Sequence, residues 1–219
     1  DNTLKNAVMA FFEQCPFDRN KLPKVMGTKY ETKIEALAHI VAITRTSADR
    51  KGNNYAYRPI AENPGRLGSQ FIKLSQHLCW VLGKSKMDDE VYNIVRKTAM
   101  HTVISWSLEI IRALIKNPDG LTMADMTREL SVAVETVRPS LETLCQIVYP
   151  YGPKNQGPVI SMEDSPIAPG SPRMRRAYRL DKRCVAFWKT AELPMQLTFS
   201  KRKSTRGPKR GSTYQKQGA

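Results

Sequence analysis

Between Leu121 and Tyr149 the apolar residues fall three and four apart, pause for three positions, and resume at the same spacing. Met123, Met126, Thr127 and Leu130 share one face of a first helix. Thr122 is placed to cap it, with Asp125 in its first turn. Ser131 to Ala133 leaves room only for a tight turn. Val134, Val137, Leu141, Leu144 and Val148 then line a second helix, with Glu135, Thr136, Arg138, Ser140 and Glu142 on its other face. Two short helices across such a turn form a helix-turn-helix, whose second helix suits a DNA major groove. A plain helical hairpin of a bundle would show the same periodicity. Pro139 conflicts with a long second helix, because its ring removes a backbone donor beyond the first turn. A regular helix is therefore expected to start as late as Thr136 or Arg138.

The run ETVRPSLETL resembles the recognition helix of winged helix-turn-helix domains, and the residues after it read as a wing. Gly157 to Met162 and Met174 to Leu180 alternate apolar and polar residues, as two strands would. EDSPIAPGSPR between them reads as a long flexible hairpin tip. Arg173, Arg175, Arg176 and Arg179 lie on or beside the second strand, where guanidinium groups suit phosphates or a minor groove. Thr136, Arg138 and Ser140 are the candidate base-contacting residues. From Asp119 to Asp164 there are seven acids and three bases, whereas Arg173 to Lys189 holds seven bases and one acid. The positive charge of this part thus sits on the wing rather than on the recognition helix.

Charge also divides the whole chain. Net charge is +15 over 219 residues and the isoelectric point is about 9.8, which points to an anionic partner, nucleic acid above all. Residues 1–116 carry 18 bases and 11 acids, residues 117–192 carry 10 and 9, and residues 193–219 carry 7 and none. The last segment is rich in Gly, Ser and Thr and is expected to be disordered in isolation. Its Lys201, Arg202, Lys203, Arg206, Lys209 and Arg210 suit a polyanion without reading sequence, although a solubilising tail has the same composition. Cys15, Cys79, Cys145 and Cys184 form no CxxC pair and read as buried thiols of a reducing compartment. His39, His77 and His101 are far apart, each within a helical pattern, so no metal site is expected. No run of eighteen apolar residues and no signal peptide occurs, and the chain is expected to be intracellular, cytoplasmic or nucleoid-associated. It begins at Asp1 rather than Met, as a fragment or a processed product would.

The first half is helical by period. Leu4, Ala7, Val8, Phe11 and Phe12 form a short stripe, and a longer helix is expected from about Glu31 to Ala48. A polar loop from Asp49 to Pro64 precedes a helix from about Leu67 to Leu82 that Gly83 stops. Another begins near Met87, with Asp88, Asp89 and Glu90 at its start. The apolar run from Val103 to Ile115 completes the set.

Within this half, NPGRLGSQFIKLSQHLCWVLGKSKMDDEVYNIVRKTA resembles the small helical lid of AAA+ ATPases, notably minichromosome-maintenance-like and MoxR-like members. IEALAHIVAITRTSADRKG is similar to the preceding lid helix. With the helix-turn-helix that follows, the resemblance spans about residues 31–180. It implies that Arg66 matches the sensor-2 arginine, which approaches the γ-phosphate of ATP, with Arg45 as a second basic neighbour. The family's catalytic core is missing from this sequence. Gly83-Lys84-Ser85 mimics the end of a phosphate-binding loop, but its first glycine would fall at Leu78. This chain alone is therefore expected neither to hydrolyse ATP nor to carry a cofactor, and ATP with Mg²⁺ enters only if an upstream ATPase core exists.

The expected fold is mainly α: a helical lid-like domain over residues 1–100, a winged helix-turn-helix with a small β-wing over 101–192, and a disordered basic tail over 193–219. The expected function is nucleic-acid binding, DNA in particular, within a replication- or helicase-type ATPase, with an ATPase core or neighbouring copies as further partners and no membrane. The other reading is a protein-interaction or transcription-regulatory winged helix with only non-specific nucleic-acid contact. Glu135 and Glu142 favour the latter, since both would repel phosphate.

Overall fold

The computed structural model describes residues 22–23, 25, 27–46, 50–51, 54–55, 59–103, 105–147, 157–166 and 174–195, together with positions 3, 5, 6, 9, 10 and 13. The stripe Leu4, Ala7, Val8, Phe11 and Phe12 lies outside the described residues, as does the basic tail beyond residue 195.

The first half is organised by α1, Lys29–Thr44, which starts at Thr28, whose side chain accepts a hydrogen bond from Tyr30 N. Tyr30, Ile34 and every residue from Ala36 to Thr44 are buried, so the C-terminal part of this helix is enclosed on all sides. It ends earlier than the expected Ala48. A small antiparallel pair follows within the expected loop, β1 (Arg50–Lys51) against β2 (Asn54–Tyr55). The next helix, α2 (Pro64–Val81), begins three residues before the expected Leu67, because Asn63 accepts from Gly65 N at 2.8 Å and Pro64 fits the first turn. Gly83 ends it at φ +66, with Lys84 N bonded to Cys79 O and Gly83 N to Trp80 O. That pair of bonds uses two carbonyls the helix end would otherwise leave open. Asp88 caps α3 (Asp89–His101) through Val91 N. Both α2 and α3 pack on α1.

The second half runs α4 (Ser105–Lys116), β3 (Leu121–Thr122), α5 (Met123–Leu130), α6 (Val134–Gln146), β4 (Ile160–Pro166), β5 (Met174–Leu180) and α7 (Lys182–Thr190). A three-stranded antiparallel sheet has the order β3-β5-β4. The expected boundaries of α5 and its turn hold. Thr122 and Asp125 bond each other's backbone N–H in a reciprocal cap. Ser131 closes α5 in the left-handed region at φ 54.

Two expectations are corrected. The regular helix α6 begins at Val134 and not at Thr136 or Arg138, and Pro139 sits inside it. The donor that Pro139 lacks would have met Glu135 O, and Glu135 is exposed, so water can satisfy that carbonyl. The hairpin tip is also shorter than expected. Glu163 to Pro166 belong to β4, opposite Ala177, Arg176, Arg175 and Met174 in turn. Opposite charges facing across the ladder favour that extension.

One feature has no counterpart in the sequence reading. Helix α7, capped by Asp181, leaves the sheet and packs on α1, nearly 150 residues upstream in the chain. Trp188 and Cys184 are buried there, and the Phe187 ring stacks on His39 with centroids 4.2 Å apart. Tyr92 donates to Ala191 O at 2.7 Å. The buried residues form one continuous core from Val25 to Leu193. Each fully buried Leu or Ile in it contributes about 1.5–3 kcal/mol.

Gly120 and Gly83 test the backbone argument as a pair. Both have positive φ, but a Cβ on Gly83 meets nothing within 4 Å, whereas one on Gly120 falls 2.8 Å from Arg179 Cγ and 2.9 Å from Tyr178 O. G83A is expected to cost about 1 kcal/mol and G120A clearly more, since β3 must then move off β5. Urea midpoints compare the two directly, and equal losses would contradict this account.

His39 provides a pH test. Burial pushes its pKa down to about 4, so the native state holds it neutral while the unfolded chain protonates near 6.5. Above that value it contributes no pH dependence. As pH falls from 6.5 to 4 the unfolded state gains protons first, and stability declines by up to about 3 kcal/mol. H39F should flatten stability across this window in denaturant titrations.

Candidate nucleic-acid interface

Helix α6 buries Val137, Leu141 and Leu144 against α4 and the sheet, and exposes Glu135, Arg138, Pro139, Glu142 and Gln146. Thr136 and Ser140 are half-buried at the edges of this face. The exposed surface of the helix therefore carries two carboxylates and one guanidinium.

Arg175, Arg176 and Arg179 are brought together on β5, and each meets an acid. Arg175 reaches from the strand to Asp125 of α5 at 2.6 Å. Arg176 donates twice to Asp164, directly opposite on β4, at 2.8 and 3.0 Å. Arg179 pairs with Glu163 at 2.8 Å and donates to Asp119 O at 3.0 Å. The hydrogen bond from Arg176 holds the Asp164 carboxyl below the usual carboxylate range. The Asp125 carboxyl is lowered first by its hydrogen bond from the Thr122 hydroxyl and then by Arg175. Arg128 also reaches Asp125, and Lys116 reaches Glu129. Among the described basic residues of α5, α6 and β5, Arg138 alone has no carboxylate partner. Arg173, Lys201, Arg202, Lys203 and Arg206 lie outside the described residues.

Arg175, Arg176 and Arg179 share one strand as the alternation predicts, but their partners are not legible from residue type. From the sequence alone Glu163 and Asp164 fall in the hairpin tip, and Asp125 in the first turn of a helix that Thr122 caps. The alternation Met162, Glu163, Asp164 against Arg176, Ala177, Tyr178 was the available signal, because antiparallel pairing sets acid against base only in this register.

In the first half, Arg66 stands in the first turn of α2 with an exposed side chain, 2.8 Å from Glu62. Arg45 approaches the other oxygen of the same carboxylate at 3.5 Å. The structure thus gathers the two arginines singled out from the sequence around one glutamate. Nearby, an open cleft of about 320 Å³ between α1 and α2 is lined by Glu31, Glu35, His39 and Ser69 among others. Among the described residues, no cluster of three or more His, Cys, Asp or Glu is arranged to hold a metal, and no helix is long and apolar enough to cross a membrane.

Comparison with known protein families, curated proteins and solved structures finds no match to this chain.

Asp125 joins the start of α5 to β5. D125A keeps the Asp125 N–H bond to the Thr122 hydroxyl but removes the carboxylate that accepts from Thr122 and pairs with Arg175 and Arg128, and is expected to cost about 1–2 kcal/mol. R175A removes only the exposed pair and should cost under about 1 kcal/mol. Thermal unfolding of both variants orders the two contributions, and equal losses would show that the carboxylate's part of the cap contributes nothing.

Proposed function

We propose that this chain is a nucleic-acid-binding module, with DNA as its partner. In this reading residues 101–192 form a winged helix, residues 31–100 a lid-like helical domain of AAA+ type, and the basic tail supplies phosphate contacts. The observation that carries it is topological: helix, strand, helix, three-residue turn, helix and hairpin follow in order, with the strands arranged β3-β5-β4. That order places one face of α6 beside the β4–β5 hairpin, the arrangement with which winged helices grip a duplex. A net charge of +15 supports an anionic partner. The start of α2 with Arg66 and its neighbour Arg45 supports the lid-like part, and with it a place in the C-terminal region of a replication- or helicase-type ATPase.

The wing contributes less charge to binding than its arginines suggest, because Asp125, Asp164 and Glu163 must be displaced before phosphates can replace them. A second reading draws on this and on the exposed Glu135 and Glu142: α6 docks on a protein or a neighbouring copy, and only the tail meets nucleic acid.

Binding to labelled duplex and single-stranded DNA as a function of salt tests both. Six phosphate contacts would give a log-log slope of about −5. Deleting residues 197–219 should weaken binding more than R175A/R176A does, yet leave measurable affinity at 50 mM salt. Changing Thr136 or Arg138 should alter any sequence preference without steepening the salt response. Complete loss of binding on tail deletion would favour the protein-docking reading, and no binding by the intact chain at 50 mM salt would overturn the nucleic-acid reading.

A further inference from the structure

Strand β5 turns its arginines to two sides. Side chains alternate along a strand, so Arg175 and Arg179 lie on one face and Arg176 lies on the other with Tyr178. The first face is fastened to the fold. Arg175 reaches Asp125, a carboxylate that also serves Thr122 and Arg128. Arg179 pairs with Glu163, donates to Asp119 O and packs where a Cβ on Gly120 would fall. Arg176 has no such duty. Its Nε and Nη2 meet the two oxygens of Asp164, and neither side chain bonds to anything else among the described residues. Both side chains are half exposed.

Other carboxylates that hold arginines have a structural task. Asp181 takes Arg183 on both oxygens but also caps α7 through Arg183 N. Glu62 joins Arg45 at the end of α1 to Arg66 at the start of α2. Asp164 caps no helix and bridges to no second base, and strand register sets it opposite Arg176. There it fills the planar fork with which a guanidinium grips two oxygens of a phosphate, because a carboxylate offers the same pair of acceptors. An exposed pair of this kind favours its closed state by no more than about fivefold, so it opens readily.

The pair also lies beside α6. Burial raises the Tyr178 hydroxyl above its usual pKa, helped by Cys145 and Glu142, while Arg176 and Arg138 oppose the rise. Both guanidinium groups are thus within electrostatic reach of one hydroxyl. We infer that the Arg176–Asp164 pair is an autoinhibitory contact, in which Asp164 occupies the guanidinium fork that would otherwise take a backbone phosphate of bound nucleic acid. Arg176 turns outward when a phosphate brought beside α6 displaces the carboxylate. This rests on the nucleic-acid reading above, and it singles out the one arginine of β5 that can leave its partner without loosening a helix cap or a turn. A free anion competes poorly with a carboxylate tethered across the ladder, whereas a polyanion already held at α6 presents its next phosphate at high effective concentration.

The test uses the full chain, a labelled mixed-sequence duplex and anisotropy titrations from about 50 to about 200 mM salt. D164N keeps the shape of the side chain and removes its charge. It is expected to tighten binding about three- to fivefold and to steepen the log-log salt slope by about 0.9, the increment for one added phosphate contact. In an R176A background the same substitution should leave the slope unchanged and shift affinity by less than about 1.5-fold, since only a screened charge is then removed. D164S repeats the comparison with a shorter neutral side chain that cannot fill the fork, and thermal unfolding of each variant is the control for folding. No gain, or a gain that is the same with and without Arg176, overturns the autoinhibitory contact and leaves the nucleic-acid reading standing. Failure of the intact chain to bind at about 50 mM salt overturns that reading and the contact's role with it.

Discussion

The enclosure of α1 is the constraint on which the rest of the architecture depends. A helix whose C-terminal part is buried on every side must be covered by several others, and α2 and α3 alone leave one flank open. The last described helix closes it. Helix α7 brings Trp188, Phe187 and Cys184 to that flank, and the Tyr92 hydroxyl, Arg96 and Lys33 fasten its end. The two halves of the sequence therefore share one core, although one half is helical and the other carries the sheet.

Charge is matched at short range in both halves. Around the sheet, acid and base are matched across short distances, with Arg176 opposite Asp164 and Arg175 reaching Asp125. Exposed pairs of this kind contribute little to stability, about 0–1 kcal/mol each, but they cancel the field that the arginines would otherwise project. In the first half Glu62 takes Arg66 and Arg45, and Lys84 takes Asp88 and Glu90. A chain with a strongly positive total can thus be locally neutral around its sheet.

Much of the fold was legible in the sequence wherever local signals sufficed. Thr122 with Asp125, the spacing of Met126 and Leu130, and Gly83 after a Leu-rich stripe placed α5 and the end of α2 within a residue or two, because caps and apolar periods act over one turn. What the sequence hid was non-local. Strand β3 is two residues long and exists only because β5 lies beside it. The start of α6 at Val134 overrides the local preference of Pro139 because Val137, Leu141 and Leu144 are drawn into the core. The candidate arginines were legible by residue type, but their partners depended on strand register.

The closure of α1 by the final helix bears on how the molecule is made. During synthesis α1 emerges about 140 residues before α7, and for that interval the flank that Phe187 and Trp188 will cover has no native partner. A contact between segments so distant in sequence is slow to form, and the waiting apolar flank is open to non-native association. The first half of this chain is thus a segment that completes itself only once the second half has left the ribosome.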